Sequence, residues 1–155
     1  MKKRIGVIAD THGLLRSEVT AALKKSDVIF HVGDIGGPEI IEELKRIAPV
    51  YAISGNTDRG EWAARYEKTS IVRFAGHLFC LVHDLNTLGV DPEHEGISVV
   101  VSGHSHQPKI IRQNNVLYFN PGSAGPRRFK LPISLGQLII SGRSVEADII
   151  QLSAS

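Results

Sequence analysis

The first third of the chain alternates short apolar runs with amphipathic stretches. Ile5 to Ala9 is a run of strand type, and Val28 to Val32 and Val50 to Ser54 are two more. Between the first two, Ser17 to Lys25 carries Val19, Ala22 and Leu23 on one face, with Ser17 placed to cap a helix. Glu39 to Ile47 repeats the pattern with Ile40, Ile41, Leu44 and Ile47 inward, behind Pro38, a residue suited to a helix's first turn. This alternation predicts a βαβαβ unit with parallel strands and right-handed crossovers.

Strand patterns dominate the remainder. Ile71 to Phe74 and Leu78 to Val82 flank Ala75-Gly76-His77, and Lys109 to Arg112 and Val116 to Phe119 flank Asn114-Asn115; both read as hairpins. Asp91-Pro92-Glu93 reads as the opening of a short helix. Ile97 to Val101 is almost entirely β-branched, which fits a strand buried on both faces. Leu135 to Ile140 and Val145 to Leu152 make a last pair around Gly142. The pattern predicts one α/β domain over residues 1–155, with two packed sheets, mainly parallel at first and antiparallel at the end.

Composition narrows the class. Hydrophobic residues at 42% and charged residues at 22% match an ordinary folded domain, and 155 residues suffice for one core. The net charge is +2 and the basic residues are scattered, so there is no strong nucleic-acid signal. The lone Cys80 lies within an apolar run and reads as a core thiol without a disulfide partner. No run approaches the roughly 20 apolar residues of a membrane span. The basic Met1 to Arg4 is not followed by a signal-type apolar segment, so a cytoplasmic location with no membrane partner is expected.

The chemistry sits where the strands end. The successive apolar runs lead into Asp10-Thr11-His12, Gly33-Asp34, Gly55-Asn56-Thr57-Asp58, His83-Asp84 and Gly103-His104-Ser105-His106. In α/β sheets that carboxyl edge is where ligands bind. Carboxylates, an amide and imidazoles form a mixed donor set suited to manganese, nickel, zinc, iron or cobalt rather than calcium. The absence of thiolates in the set excludes a cysteine-type structural zinc site. Gly33, Gly55 and Gly103 keep the backbone clear beside such a centre.

Asp-x-His, Gly-Asp, Gly-Asn-x-Asp, His and Gly-His-x-His, in this order, resemble the calcineurin-like metallophosphoesterase superfamily. The chain is most similar to its small phosphodiesterases of the YfcE type, and Asn120-Pro121-Gly122-Ser123 belongs to the same likeness, which runs from about Ile5 to Leu152. The resemblance implies a four-layer αββα sandwich of two mixed sheets flanked by helices. It implies two divalent metal ions, manganese foremost. Asp10, His12, Asp34 and His106 would hold one, and Asp34, Asn56, His83 and His104 the other, with Asp34 shared. It further implies hydrolysis of a small phosphate ester by in-line attack of a metal-bridging hydroxide, with Asp34, Asn56 and His104 as the catalytic positions.

Two positions depart from the family pattern. Thr57 stands where many members carry a histidine that protonates the leaving group, which leaves Asp58 as a weak substitute acid. Asp84 stands where glycine is usual after the ligand histidine. His31 reads equally as a support for the ligands or as strand packing, and Trp62 and Phe129 as cleft rim or packing. His77 and His94 read as surface, and Arg59, Arg127, Arg128 and Lys130 as solvated surface ahead of contacts to substrate phosphate. The alternatives are a phosphomonoesterase, a nucleotide hydrolase, or a non-catalytic scaffold like the retromer subunit of this superfamily. The sequence leaves a homodimer open.

Overall fold

In the computed structural model, which describes residues 2–152, ten strands form two five-stranded sheets. The first sheet contains β1 (Lys2–Ile8), β2 (Val28–Val32), β3 (Val50–Ile53), β9 (Ile133–Ser141) and β10 (Ser144–Leu152), in the order β10-β9-β1-β2-β3. The second contains β4 (Thr69–Phe74), β5 (His77–Val82), β6 (Val99–Val101), β7 (Lys109–Gln113) and β8 (Val116–Asn120), in the order β4-β5-β6-β8-β7. Strands β1, β2 and β3 pair in parallel, joined by α1 (Ser17–Leu23) and α2 (Pro38–Lys45), as the alternating pattern predicts. The closing hairpin β9–β10 runs antiparallel and returns to lie beside β1.

The sheets face each other across one apolar layer. Val7, Phe30, Val32 and Leu138 from the first meet Phe79, Val99, Val101 and Phe119 from the second, all at most 1% exposed. The other faces are covered differently. Both helices cover the first sheet, where Val19, Leu23, Ile40, Ile41 and Leu44 bury against Ile8, Ile29 and Leu135. The outer layer of the second sheet is the segment between β5 and β6, whose Leu88, Val90 and Ile97 pack on Cys80, Val82 and Val100. Its regular structure is a single 3₁₀ turn, Leu85–Thr87. Two mixed sheets with helices make an α/β sandwich, with this second cover built from loop.

Local corrections have simple causes. Asp91-Pro92-Glu93 opens no helix, because the chain closes one turn, with Glu95 N–H donating to the Asp91 carbonyl at 3.0 Å, and then reverses at Gly96 with φ of 73°. Ser17 is not the cap of α1: Arg16 holds that position, and the Ser17 hydroxyl donates to the Glu18 carboxylate at 3.0 Å. The β4–β5 turn is the two residues Ala75 and Gly76, both with positive φ, and His77 already begins β5. The His77 ring is not free surface, since it bonds Ser98 Oγ at 3.1 Å and the Gly142 carbonyl at 2.8 Å, tying a turn of each sheet together. Trp62 packs against the helix-side core and Tyr66, whereas Phe129 is 88% exposed. Among the described residues no helix is long and apolar enough to cross a membrane.

Candidate metal centre

The side chains at the strand ends converge. Asp10 and His12 follow β1, Asp34 follows β2, His83 follows β5, and His104 and His106 follow β6. Their donor atoms fall into two groups, Asp10 with His12 and His106, and Asp34 with His83 and His104, each lying within 4.8 Å of one another. Asp34 also reaches the first group, its Oδ2 standing 3.7 Å from His12 Nε2 and 3.2 Å from His83 Nε2. Asp10 Oδ1 is 3.6 Å from His106 Nε2 and 3.8 Å from His83 Nε2. Asn56 stands exposed on the loop after β3, between Gly55 and Thr57.

Each carboxylate has one oxygen anchored and one presented. The His104 backbone N–H donates to Asp10 Oδ2 at 3.2 Å, and the Thr57 N–H donates to Asp34 Oδ1 at 3.0 Å. The other oxygens face the imidazoles. His83 Nδ1 donates to the Val32 carbonyl at 2.8 Å, which fixes the tautomer with Nε2 directed inward. Asp10 Oδ1, His12 Nε2, His83 Nε2 and His106 Nδ1 are buried without a hydrogen-bond partner. Buried polar atoms are ordinarily satisfied, and the first three of these, with His106 Nε2 3.6 Å from Asp10 Oδ1, fit the donor set of divalent cations.

The backbone there is strained to match. Asp10, His12, Asp34, His104 and His106 all have positive φ, between 48° and 71°. Non-glycine residues rarely adopt this region, at a cost of about 1–2 kcal/mol each. Neighbouring bonds hold them in place: Asp10 N–H to the Gly33 carbonyl at 3.0 Å, His12 N–H to that of Asp34 at 2.9 Å, and Gly13 N–H to that of Ile35 at 2.8 Å. A Cβ added at Gly55 would press on Asp34, which is why that position must be bare.

Several side chains brace these loops. The Thr11 hydroxyl donates to the Ile35 carbonyl at 2.7 Å and therefore accepts from His31 Nε2–H at 2.9 Å, leaving His31 Nδ1 to accept the Gly33 N–H at 3.2 Å. His31 thus braces the loops that follow β1 and β2. Asp58 is no substitute acid: its carboxylate accepts the N–H groups of Ile35, Gly36 and Gly55 at 2.8–3.0 Å. Asn120 donates to the Gly103 carbonyl at 3.0 Å, and the Ser123 hydroxyl donates to that of Asp10 at 3.2 Å. Through those two residues the Asn120-Pro121-Gly122-Ser123 segment clasps the loops after β1 and β6.

Electrostatics set a pH dependence. Burial pushes the Asp10 carboxyl up to about 7, with Asp34 adding to the rise and His83 opposing it. Burial depresses His83, but the Asp34 carboxylate and the Val32 carbonyl outweigh it and hold the ring above its ordinary value. Burial pushes His31 down to about 3 and His106 down to about 4, the latter helped by Arg128. Asp34 moves down, because His83 and the Thr57 N–H outweigh its burial. Raised Asp10 and His83 each lose stability for the fold as pH rises, Asp10 from about 4 and His83 from about 6.5. Lowered His31 and His106 add stability as pH climbs to about 6.5 and nothing beyond. The metal-free protein should therefore be most stable near pH 6.5 and lose Tm toward pH 8. Added manganese should raise Tm by more at pH 8 than at pH 6, since the donors must bind it deprotonated. Thermal melts in chelator and in manganese test this, and a metal-free Tm still rising at pH 8 would refute it.

Residues 3–142 match the family model for the calcineurin-like phosphoesterase superfamily domain. A probable metallophosphoesterase of Methanothermobacter thermautotrophicus is 32% identical, covering 97% of this chain and 93% of that protein. Among solved structures, a novel archaeal phosphodiesterase superposes with TM-score 0.80 at 22% identity, covering 96% of this chain and 99% of the other. The E. coli phosphoesterase YfcE gives 0.69 at 20%, covering 97% and 98%. Vacuolar protein sorting 29 of Cryptosporidium parvum gives 0.78 at 19%, covering 99% of both. At these identities the structural likenesses speak for the fold.

Proposed function

Because the chain belongs to the calcineurin-like phosphoesterase superfamily, we propose that it is a two-metal phosphodiesterase. The observation that carries this reading is the set of three bare, buried donor atoms, Asp10 Oδ1, His12 Nε2 and His83 Nε2, that converge at the strand ends. Asp10, His12 and His106 would hold one cation, Asp34, His83, His104 and Asn56 the other, and Asp34 would be shared. When bound, two such cations activate a water for in-line attack and neutralise charge on the phosphoryl oxygens. Manganese is the first candidate, and a cytoplasmic location is part of the proposal.

The chain's own residues supply position and shielding. Asp34 sits between the two imidazole groups, with its backbone-anchored oxygen fixing which lone pairs it offers. His104 is the most open of the six, its side chain 46% exposed, and meets the substrate's phosphoryl oxygens at the cleft mouth. Asn56, exposed on the neighbouring loop, offers its amide to the same oxygens. The Thr57 hydroxyl does not donate a proton near neutral pH, and the Asp58 oxygens are taken by backbone N–H groups. Departure of a poor leaving group is therefore unassisted.

Aryl phosphodiesters are accordingly expected to turn over on the order of 10²-fold faster than alkyl ones, the contribution of a general acid. The test combines metal analysis of the purified protein with assays on aryl and alkyl mono- and diesters in added manganese. Two equivalents of metal with aryl-diester hydrolysis is the expected result. Preference for monoesters would favour the phosphomonoesterase or nucleotide-hydrolase reading. Protein with neither metal nor turnover would favour a scaffold, the reading to which the likeness to vacuolar protein sorting 29 adds weight.

A further inference from the structure

We propose that the groove beside His104 binds one ester substituent of the substrate, and that the substituent it fits is a nucleoside. The inference rests on the phosphodiesterase reading and names the substrate class for that site.

The groove has a volume of about 500 Å³ and shares His104 with the metal centre. That places it within the range of small-ligand pockets, about 300–1,000 Å³. Its floor is the outer face of the second sheet. Side chains of a strand alternate, so Lys109, Ile111 and Gln113 of β7 share the groove face, while Arg112 turns away and donates to the Val145 carbonyl at 2.6 Å. Tyr118 of β8 pairs directly with Ile111, which sets its ring beside that side chain on the same face. The opposite wall is the 3₁₀ turn, with Leu85 and Asn86.

The chemistry of these walls is specific. Leu85 and Ile111, 42% and 43% exposed, and the half-buried Tyr118 ring give the groove an apolar lining that accepts a flat group. Tyrosine rings stack on any base face. The side-chain amides of Asn86 and Gln113 make no hydrogen bond among the described residues, and each offers a donor and an acceptor side by side, the pattern that reads a base edge. A lipid chain would leave those amides unpaired, and an unsubstituted methyl ester would leave the apolar slot empty. Because His104 lines both, an occupant of the groove lies beside the candidate metal centre.

The test compares the manganese-loaded wild type with Ile111→Asp and Gln113→Ala, both exposed positions on an edge strand. Turnover is measured on thymidine 5′-(p-nitrophenyl) phosphate and on methyl p-nitrophenyl phosphate, and binding of thymidine 5′-monophosphate is followed by calorimetry. The wild type is expected to have a KM at least about tenfold lower for the nucleoside ester, a typical effect of one stacked base. Ile111→Asp should cut that ratio at least fivefold and weaken nucleotide binding in step, and Gln113→Ala should do so by a smaller factor. Equal KM values in the wild type, or a ratio unchanged in both variants, would overturn the groove assignment. If neither ester is hydrolysed, the phosphodiesterase reading fails. Calorimetry then decides the groove alone: binding weakened by the variants supports it, and binding absent or unchanged overturns it.

Discussion

Replacing Asp34 with asparagine is expected to lower kcat/KM on an aryl phosphodiester by on the order of 10³-fold, about 4 kcal/mol of transition-state stabilisation. The change is nearly isosteric, so the Thr57 N–H keeps an oxygen to bond and the loop keeps its shape. What is lost is the negative charge at Oδ2, the atom that faces both His12 and His83. Asp10 Oδ1 also faces both groups, 3.6 Å from His106 and 3.8 Å from His83, but Asp34 Oδ2 approaches His83 more closely, at 3.2 Å. Metal content, read alongside rate, should fall toward one equivalent or less. Turnover near the wild-type level in excess manganese would remove Asp34 from the centre of the mechanism.

The second large effect concerns a residue that binds nothing. Gly36→Ala is expected to destabilise the protein by about 3 kcal/mol or more, combining a disfavoured backbone conformation with overpacking. Gly36 has φ of 96°, and a Cβ there would run into the backbone of Gly13 and His12. A backbone neighbour cannot rotate away as a side chain does. Because the obstructed segment includes His12, one of the proposed ligands, metal affinity should fall with stability. Gly76→Ala is the control: its φ of 83° is equally left-handed, yet no atom lies within 4 Å of the added Cβ. At roughly 2–4 °C per kcal/mol for a chain of this size, Gly36→Ala should lower Tm by about 6–12 °C, clearly more than Gly76→Ala. Equal losses in the two variants would show that crowding against the His12 loop is unimportant.

Much of the architecture was legible because burial on two faces leaves continuous apolar runs, and the polar residues that end each run mark one edge of a sheet. Asp10, His12, Asp34, His83, His104 and His106 could be found by that rule alone, and the structure brings all six together. Asn56 is carried on the neighbouring loop, where its exposed side chain has no burial to report its partners. The rest depended on contacts between distant segments. Nothing in residues 133–152 indicates that β9 will pair with β1, since edge choice is decided by packing across the whole sheet. The roles of Thr11, His31 and Asp58 stay open in the sequence because they depend on bonds to segments about 20 residues away, Thr11 to His31 and Ile35, and Asp58 to Ile35 and Gly36. The left-handed φ of the ligand residues is hidden for another reason. Glycine advertises that conformation, whereas aspartate and histidine adopt it only when surrounding bonds enforce it.

The donor atoms come from both halves of the sandwich: Asp10, His12 and Asp34 leave strands of the first sheet, and His83, His104 and His106 leave strands of the second. Cations held by that set would span the same boundary as the Phe30–Phe79 contact and fasten the two sheets at their rim. Asp10 and His106 come from different sheets and are far apart in the chain, so a centre completed only when the sheets dock is the expected order. Interactions made that late slow unfolding and leave the folding rate nearly unchanged. The metals would act as a lock on a finished structure, and the persistence of this fold over time would be set by how often they leave.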